Sequence, residues 1–380
     1  MYTLKRPLFR PTLIIFALAS LVLAACGARG ITGNWPGLST DGKNVYVAYG
    51  PSVIAYDVEA QEQLWSFPAE SNRALQFFAP PSVQDGRIIL GDYGAAGGFF
   101  SPGVIVTVYA LEGDGRGTPN TLWADEGVAD DRIVAAPLQV ENRVFVGTAN
   151  NKLLALDAET GNLLWEFEVG HGIWGQPSFK DGVLYVSSLD RSVHALDAET
   201  GSELWQTELG GAIAGKPVTD ENLVYVSSFD GKLHALDMAA GQEQWAVEAE
   251  DWIWEAPTLD NGVLYFADVK GNVYAVTATG GEHIWSQQIG HPIQTRPVVV
   301  GDKVFIASEG DVESEQGLLT ALTADTGELV WQTNTPAPLY TTPVVVGDTI
   351  VVAMQSETAL LMAFNLETGG QVGAPFVPAQ

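Results

Sequence analysis

The chain has 380 residues, of which 10% are aromatic and only 17% charged, and it contains 41 glycines. This composition excludes a disordered chain and allows a large buried core. The 46 acidic residues outnumber the 18 basic ones and give a formal net charge of −28. Such a surface disfavours nucleic acid as a partner, and it argues against flat electrostatic binding to anionic lipid.

Residues 1–25 predict an export signal. Three basic residues precede an apolar run from Leu13 to Ala25, and the segment contains no acidic residue. This is the layout of a secretory signal peptide. As a helix the run is roughly 20 Å long, which is too short to cross a bilayer comfortably.

The apolar run ends in the sequence LAAC (23–26), which resembles a bacterial lipobox. In such signals the cysteine is lipidated and becomes the first mature residue, so we expect Cys26 to carry a lipid anchor and residues 26–30 to form a tether. From Cys26 to Trp35 the chain reaches at most roughly 30 Å, so the folded domain is expected close to its membrane. The sequence leaves open whether this is the cell membrane or an outer membrane, and whether the domain is periplasmic or extracellular.

An eleven-residue unit recurs along the rest of the chain. Its copies are AYDVEAQEQLW (55–65), ALDAETGNLLW (155–165), ALDAETGSELW (195–205), ALDMAAGQEQW (235–245), AVTATGGEHIW (275–285) and ALTADTGELVW (321–331). Residues 110–123 are a copy with three extra residues, and residues 363–373 are a last copy with Gly373 in place of tryptophan. From Trp123 onward the tryptophans are 42, 40, 40, 40 and 46 residues apart. A period near 40 is typical of a propeller, solenoid or array.

The residues between successive tryptophans predict the fold of each repeat. A proline is followed by a turn containing Asp-Gly or Gly-Asp and by alternating strands, as in residues 176–197. We interpret each repeat as four short antiparallel strands, which make one propeller blade. The sequence therefore predicts an all-β, eight-bladed β-propeller over residues 31–380, and we expect it to be monomeric.

The repeated residues suit docking between blades rather than catalysis. The alanine leaves room for close packing, the aspartate can accept hydrogen bonds from turn amides, and the glycine supplies a positive φ angle. The tryptophan on the outer strand can cover the seam to a neighbouring blade. The tryptophans with this predicted docking role are Trp65, Trp123, Trp165, Trp205, Trp245, Trp285 and Trp331.

The two terminal copies depart from the pattern, since the first lacks Thr-Gly and the last lacks tryptophan. Both end blades have a full set of predicted strands, so we expect the ring to close mainly by side-chain packing, with residues 31–35 as a candidate extra strand near the seam. Insertions at 93–103 and 309–317 fall between second and third strands and should project from one face.

The pattern A-x-D-x-x-T-G-x-x-x-W resembles the tryptophan-docked, eight-bladed propeller of the quinoprotein (PQQ) dehydrogenases, over nearly all of residues 31–380. Within that superfamily the chain is most similar to the BamB family of outer-membrane β-barrel assembly lipoproteins. The dehydrogenases typically have a pair of adjacent cysteines at the quinone, a bound calcium and a catalytic aspartate. Here the cysteine pair is impossible, because Cys26 is the only cysteine.

The resemblance implies a non-catalytic, lipid-anchored envelope scaffold that holds protein partners on one propeller face. A β-barrel assembly complex is the candidate partner if the cell has an outer membrane, and no cofactor is expected. The alternative is a quinone-binding or redox-associated propeller related to the dehydrogenases, for which PQQ and calcium would be the ligands. No metal site is predicted, because His194 and His234 occupy equivalent positions one blade apart.

The residues before each blade proline are the most informative variable positions. These loops should ring one mouth of the central channel, because the proline is expected to begin the inner strand. Two interpretations of these loop residues remain open. They form a binding ring for a partner segment or small anion, or they serve only for packing between blades and as ordinary polar lining of the channel. The candidate binding residues are Trp174, Gln176, Lys216, Trp254, Glu255, Arg296 and Tyr340.

Overall fold

The computed structural model describes residues 35–70, 72, 75–96, 104–113, 116–310 and 315–378. Trp35–Gln380 form one compact unit. The expected signal peptide (1–25), the lipidated Cys26 and the tether (26–30) lie outside the described residues. No helix long and apolar enough to span a bilayer occurs in the part of the chain that the structure describes.

The described strands form eight antiparallel sheets, each built from strands that are consecutive in the chain. This confirms the predicted eight-bladed propeller. Blade 1 contains β1 (Gly37–Thr40), β2 (Asn44–Tyr49), β3 (Ser52–Asp57) and β4 (Glu62–Phe67). Blade 2 contains β5 (Ser82–Gln84), β6 (Arg87–Gly91), the short β7 (Ala95–Ala96), β8 (Val104–Glu112) and β9 (Asn120–Ala129). Blade 3 contains β10 (Leu138–Val140), β11 (Arg143–Gly147), β12 (Lys152–Asp157) and β13 (Leu163–Glu168). Blade 4 contains β14 (Ser178–Lys180), β15 (Val183–Ser187), β16 (Ser192–Asp197) and β17 (Glu203–Glu208).

The second half of the ring repeats this arrangement. Blade 5 contains β18 (Val218–Thr219), β19 (Leu223–Ser227), β20 (Lys232–Asp237) and β21 (Glu243–Glu248). Blade 6 contains β22 (Thr258–Asp260), β23 (Val263–Ala267), β24 (Asn272–Thr277) and β25 (His283–Gln288). Blade 7 contains β26 (Val298–Val300), β27 (Lys303–Ser308), β28 (Gly317–Thr323) and β29 (Leu329–Thr335). Blade 8 contains β30 (Val344–Val346), β31 (Thr349–Ala353), β32 (Leu361–Asn365) and β33 (Gln371–Phe376). The insertions at 93–103 and 309–317 follow β6 and β27, where they were predicted, although residues 97–103 and 311–314 lie outside the described part.

The repeated alanine lies at the centre of a three-residue row across each blade. In blade 4, Tyr185 of β15 pairs with Ala195 of β16, which pairs with Trp205 of β17. The rings of Tyr185 and Trp205 lie 5.9 Å apart, and Ala195 is fully buried. This row belongs to the same apolar cluster as Val224 and Val226 of blade 5. A larger side chain at the alanine would therefore separate the two rings and push the next blade away.

The repeated tryptophan and glycine meet at the seams between blades. Trp123 of blade 2 donates its Nε1–H to the carbonyl oxygen of Ala158 in blade 3 at 2.9 Å. Gly161 of blade 3 has a φ of +77°, and a Cβ atom there would lie 2.7 Å from the Trp123 ring. Glycine is thus required both by the backbone and by the contact. The same tryptophan-on-glycine contact joins Trp165 to Gly201, Trp205 to Gly241, Trp245 to Gly281, Trp285 to Gly327 and Trp331 to Gly369.

The ring closes between blade 8 and blade 1 without a shared strand. Leu38 and Val45 of blade 1 belong to one apolar cluster with Val351 and Leu361 of blade 8. At this seam the large and the small residue of the motif are interchanged. Gly373 of blade 8 occupies the tryptophan position, and Gln61 of blade 1 occupies the glycine position. A Cβ atom on Gly373 would collide with Gln61. Side-chain packing therefore closes the propeller, as expected from the two complete end blades.

Trp35, the described end of the candidate extra strand (31–35), is not in a strand. Its ring instead stacks on Tyr340, with the ring centroids 4.2 Å apart. The Thr341 hydroxyl next to Tyr340 donates to the carbonyl oxygen of Pro36 at 2.7 Å. These contacts fix the beginning of the described chain against the loop that precedes blade 8.

Candidate functional site at the channel mouth

The loops before the inner strands are held in place by one buried aliphatic residue each. The Ile173 N–H donates to the carbonyl oxygen of Thr148 at 2.9 Å, and Ile173 itself is fully buried. A Cβ atom on Gly147 would lie 2.5 Å from the Ile173 side chain, so the loop lies directly on β11. The equivalent residues, all at most 1% exposed, are Ile133, Ile173, Ile213, Ile253, Ile293 and Leu339. This anchoring fixes the direction of the residues that follow.

The blade proline immediately precedes each inner strand from β10 onward, one residue earlier than predicted; Pro177, for example, stands before Ser178. The variable residues of these loops lie at the channel mouth or on the surface beside it. Five of the seven candidates line one central cavity of about 430 Å³, namely Trp174, Gln176, Lys216, Glu255 and Arg296. Gln176, Lys216 and Arg296 also line a second cavity of about 340 Å³. These three residues therefore lie where two parts of the channel adjoin.

The other two candidates have different surroundings, although they share a loop position with Trp174. Trp254 packs against Phe229, with ring centroids 5.1 Å apart, and Tyr340 stacks on Trp35. The structure thus does not bring all seven candidates of the predicted binding ring together around the channel. It divides the candidates between a polar channel and separate aromatic contacts on the same face.

Lys216 and Arg296 are partly buried cations in this channel. Burial, together with the nearby Arg296 charge, lowers the pKa of Lys216 to about 8, and Glu255 only partly opposes these two effects. One Glu255 oxygen accepts the N–H of Ala256 at 2.9 Å. Among the described residues, no carboxylate lies within 4.0 Å of either the Lys216 amine or the Arg296 guanidinium.

An aromatic cluster formed by Phe229, Trp252 and Trp254 lies beside the channel mouth. Phe229 contacts both tryptophans, with its ring centroid 5.6 Å from that of Trp252 and 5.1 Å from that of Trp254. Trp252 is 52% exposed. Asp251 accepts the Trp252 N–H at 2.8 Å, so a carboxylate adjoins the exposed ring.

Sequence reasoning did not select Phe229 or Trp252. The available signal was the WIW sequence at 252–254, where two aromatic residues flank the buried anchor. Phe229 lies in the loop between the second and third strands of blade 5, which meets the loop before blade 6 at this face. Recognition of the cluster required the contact between these two loops.

The two buried histidines have carboxylate partners. His194 and His234 are only 3% and 4% exposed. Nδ1 of His194 lies 2.8 Å from a Glu203 oxygen, and Nδ1 of His234 lies 2.6 Å from a Glu243 oxygen. Each pair joins the third strand of a blade to the fourth. Within the described residues, no group of three or more His, Cys, Asp or Glu side chains is placed to hold a metal ion.

The fold, the tryptophan-on-glycine seams and the channel-mouth loops define a propeller of the quinoprotein type. A family model described as "Outer membrane protein assembly factor BamB" matches residues 107–210, 164–252, 189–312 and 269–372. These matches overlap and together cover most of the propeller, so the chain belongs to this family.

A curated relative and two solved structures place this family membership in context. The relative is a probable quinate dehydrogenase (quinone) from Xanthomonas campestris pv. juglandis, 31% identical over 122 residues, which are 32% of this chain and 13% of that protein. The crystal structure of BamB from Moraxella catarrhalis is similar at a TM-score of 0.68 and 18% identity, covering 83% of this chain and 92% of that one. The computationally designed Ika8 protein is similar at a TM-score of 0.68 and 17% identity, covering 89% and 95%. At these identities the structures show the shared fold alone.

Proposed function

We propose that this protein is a lipid-anchored, non-catalytic scaffold of the cell envelope, which holds protein partners on the face that bears the aromatic cluster. The observation that carries the proposal is the exposed Trp252 stacked on Phe229, in a chain of the BamB family. In a cell with an outer membrane, the partner class suggested by the family description is the outer-membrane protein assembly machinery.

The aromatic cluster has the physical properties of a binding hot spot. A tryptophan that becomes buried removes roughly 150–250 Å² from water and supplies a rigid contact surface. Such residues dominate the energetics of many protein interfaces. Trp252 is already oriented by its stacking on Phe229, so little side-chain freedom is lost when a partner binds.

The charge around the cluster suggests the kind of segment that binds. Asp230 follows Phe229, and Glu250 and Asp251 precede Trp252. One cation nearby is Lys270, whose Nζ lies 3.8 Å from an Asp251 oxygen. An extended or loop segment with an apolar side chain next to lysine or arginine would complement this surface.

Attachment of the domain to its membrane is the second part of the proposal. The lipobox-like sequence at 23–26 supports lipidation of Cys26, and the short segment to Trp35 would keep the propeller near the bilayer. Lipid rather than surface charge would hold a chain of net charge −28 at an anionic membrane.

Crosslinking in living cells, followed by purification and mass spectrometry of the full chain, tests the scaffold function. We expect an envelope protein of the β-barrel assembly class to be recovered with the wild type and reduced at least about tenfold with Trp252→Ala, the loss expected for one hot-spot residue. Leu204→Ala is the matched control, because Leu204 is 55% exposed but lies on the outer strand of blade 4. Failure of the wild type to recover any envelope protein contradicts the scaffold function. Equal recovery with both variants contradicts the assigned face.

A quinone-binding propeller is the second candidate, favoured by the match to the probable quinate dehydrogenase over 122 residues. Lys216 and Arg296 could hold the carboxylates of such a cofactor, and Trp174 lines the same cavity. Titration with PQQ, with and without calcium, while tryptophan fluorescence is recorded tests this candidate. An unchanged emission spectrum, given Trp174 in the cavity wall, counts against it.

A further inference from the structure

The channel contains a pair of cations at one loop position of the ring. The residues that immediately precede the inner-strand prolines from blade 2 to blade 8 are Pro80, Ala136, Gln176, Lys216, Ala256, Arg296 and Thr342. Lys216 belongs to blade 5 and Arg296 to blade 7, so the small Ala256 of blade 6 lies between them in the ring. Lys216 and Arg296 both line the two adjoining cavities, whereas Ala256 is buried and lines neither.

The acidic groups of the channel do not neutralise this pair. Glu255 is the one carboxylate among the described residues that line the two adjoining cavities. It faces two cations, and one of its oxygens already accepts a backbone N–H. Partial removal of two like charges from water without full compensation is unfavourable, and a bound anion would relieve it.

We propose that the channel binds a small oxyanion, a phosphate or a short dicarboxylate, between Lys216 and Arg296. The planar guanidinium of Arg296 can engage two oxygens at once, and the Lys216 ammonium supplies a second, compact charge. Gln176, whose Nε2 donates to the carbonyl oxygen of Pro137 at 2.9 Å, forms part of the wall that the site shares with blade 4. This site does not depend on the scaffold function, because it lies in the channel and not on the aromatic cluster.

The affinity of the site should depend on pH with a defined sign. Lys216 has a pKa of about 8 in the free protein, and the charged groups that face it are Arg296 and Glu255. Lys216 must carry its proton to contribute its positive charge to anion binding. Binding of succinate, whose charge is constant above pH 7, is therefore strongest below pH 8 and weakens as pH rises, by about tenfold between pH 7 and pH 9.

Isothermal titration calorimetry of the full chain in detergent, in Tris-chloride buffer free of oxyanions, tests the site. Inorganic phosphate and succinate are the two probes. The probe that binds with measurable heat shows whether the site takes a phosphate or a dicarboxylate. We expect one equivalent to bind, with affinity reduced at least about tenfold in Lys216→Met and in Arg296→Gln, because each change removes one charge-assisted contact. Lys43→Met is the matched control, since Lys43 is exposed in the turn between β1 and β2 and its loss changes the net charge equally.

The outcomes separate clearly. Binding that is equal in wild type, Lys216→Met and Arg296→Gln places the anion elsewhere and overturns the proposal. Absence of heat with both probes overturns it as well, and so does an affinity for succinate that is constant from pH 7 to pH 9. Circular dichroism checks that each variant is folded, and if one is not, the other variant together with the pH profile decides.

Discussion

The seam glycines offer the sharpest test of how the blades dock. Gly201 has a φ of +72°, and a Cβ atom there would lie 2.7 Å from two carbons of the Trp165 ring. Gly182, in the same blade, has a φ of +83°, but a Cβ atom there meets nothing within 4 Å. Gly201→Ala and Gly182→Ala therefore impose the same backbone strain, and only the first disturbs a tryptophan.

The magnitudes follow from these two positions. An alanine forced into the left-handed region costs about 1–2 kcal/mol at either site. Carbon atoms cannot remain 2.7 Å apart, so Gly201→Ala must also displace Trp165, and overpacking of this kind costs about 1–3 kcal/mol more. The free energy of unfolding should thus fall by about 2–5 kcal/mol in Gly201→Ala and by about 1–2 kcal/mol in Gly182→Ala.

Urea unfolding of the full chain, followed by far-ultraviolet circular dichroism, measures both variants against the wild type. The slope of the transition should be unchanged, so that the midpoints report stability. Equal losses in the two variants would refute the reasoning, because the seam contact would then contribute nothing beyond backbone strain.

Two further predictions concern the membrane anchor and the channel. Cys26→Ala should release the exported protein from the membrane fraction, measured by fractionation and by the mass of the mature chain; retention in the membrane would contradict lipid anchoring. Lys216→Met should raise the free energy of unfolding in oxyanion-free buffer at pH 7, since the pKa of Lys216 is lowered from 10.5 to about 8 and its charged form is therefore disfavoured by folding. This gain in the free energy of unfolding is at most about 3 kcal/mol. It should shrink as pH rises from 8 toward 10, because the wild-type protein unfolds with proton uptake in that range. A gain that does not vary with pH would contradict this cause.

The architecture could be predicted because the repeat carries its information locally. Ala195, Gly201 and Trp205 all lie within one eleven-residue unit, and each has a fixed place in the blade or at its seam. A pattern of that kind identifies the fold even when most other residues vary. The position of Lys216 and Arg296 in the channel followed from the same register, because the loop before each inner strand is anchored in the same way.

The directions of the aromatic side chains could not be predicted in this way. Trp174, Trp254 and Tyr340 share one loop position, yet only Trp174 lines the cavity. The other two are drawn to neighbours that are not part of the repeat, Phe229 and Trp35. Phe229 lies in another loop, and Trp35 lies near the opposite end of the chain. Alignment of the repeats gives positions within one blade, so it cannot predict contacts with these neighbours.

The exchange of sizes at the closing seam has a consequence for the number of blades. At six described seams a tryptophan ring lies over a glycine of the next blade. A ring that closed one blade too early would place Trp331 of blade 7 against Gln61 of blade 1, where a side chain already occupies the space that the indole needs. Only blade 8, with Gly373 at that position, leaves room for Gln61. At the closing seam the first repeat thus fits the last repeat and not an earlier one, and this pairing favours the eight-bladed ring over a smaller one that nearly identical blades could otherwise form.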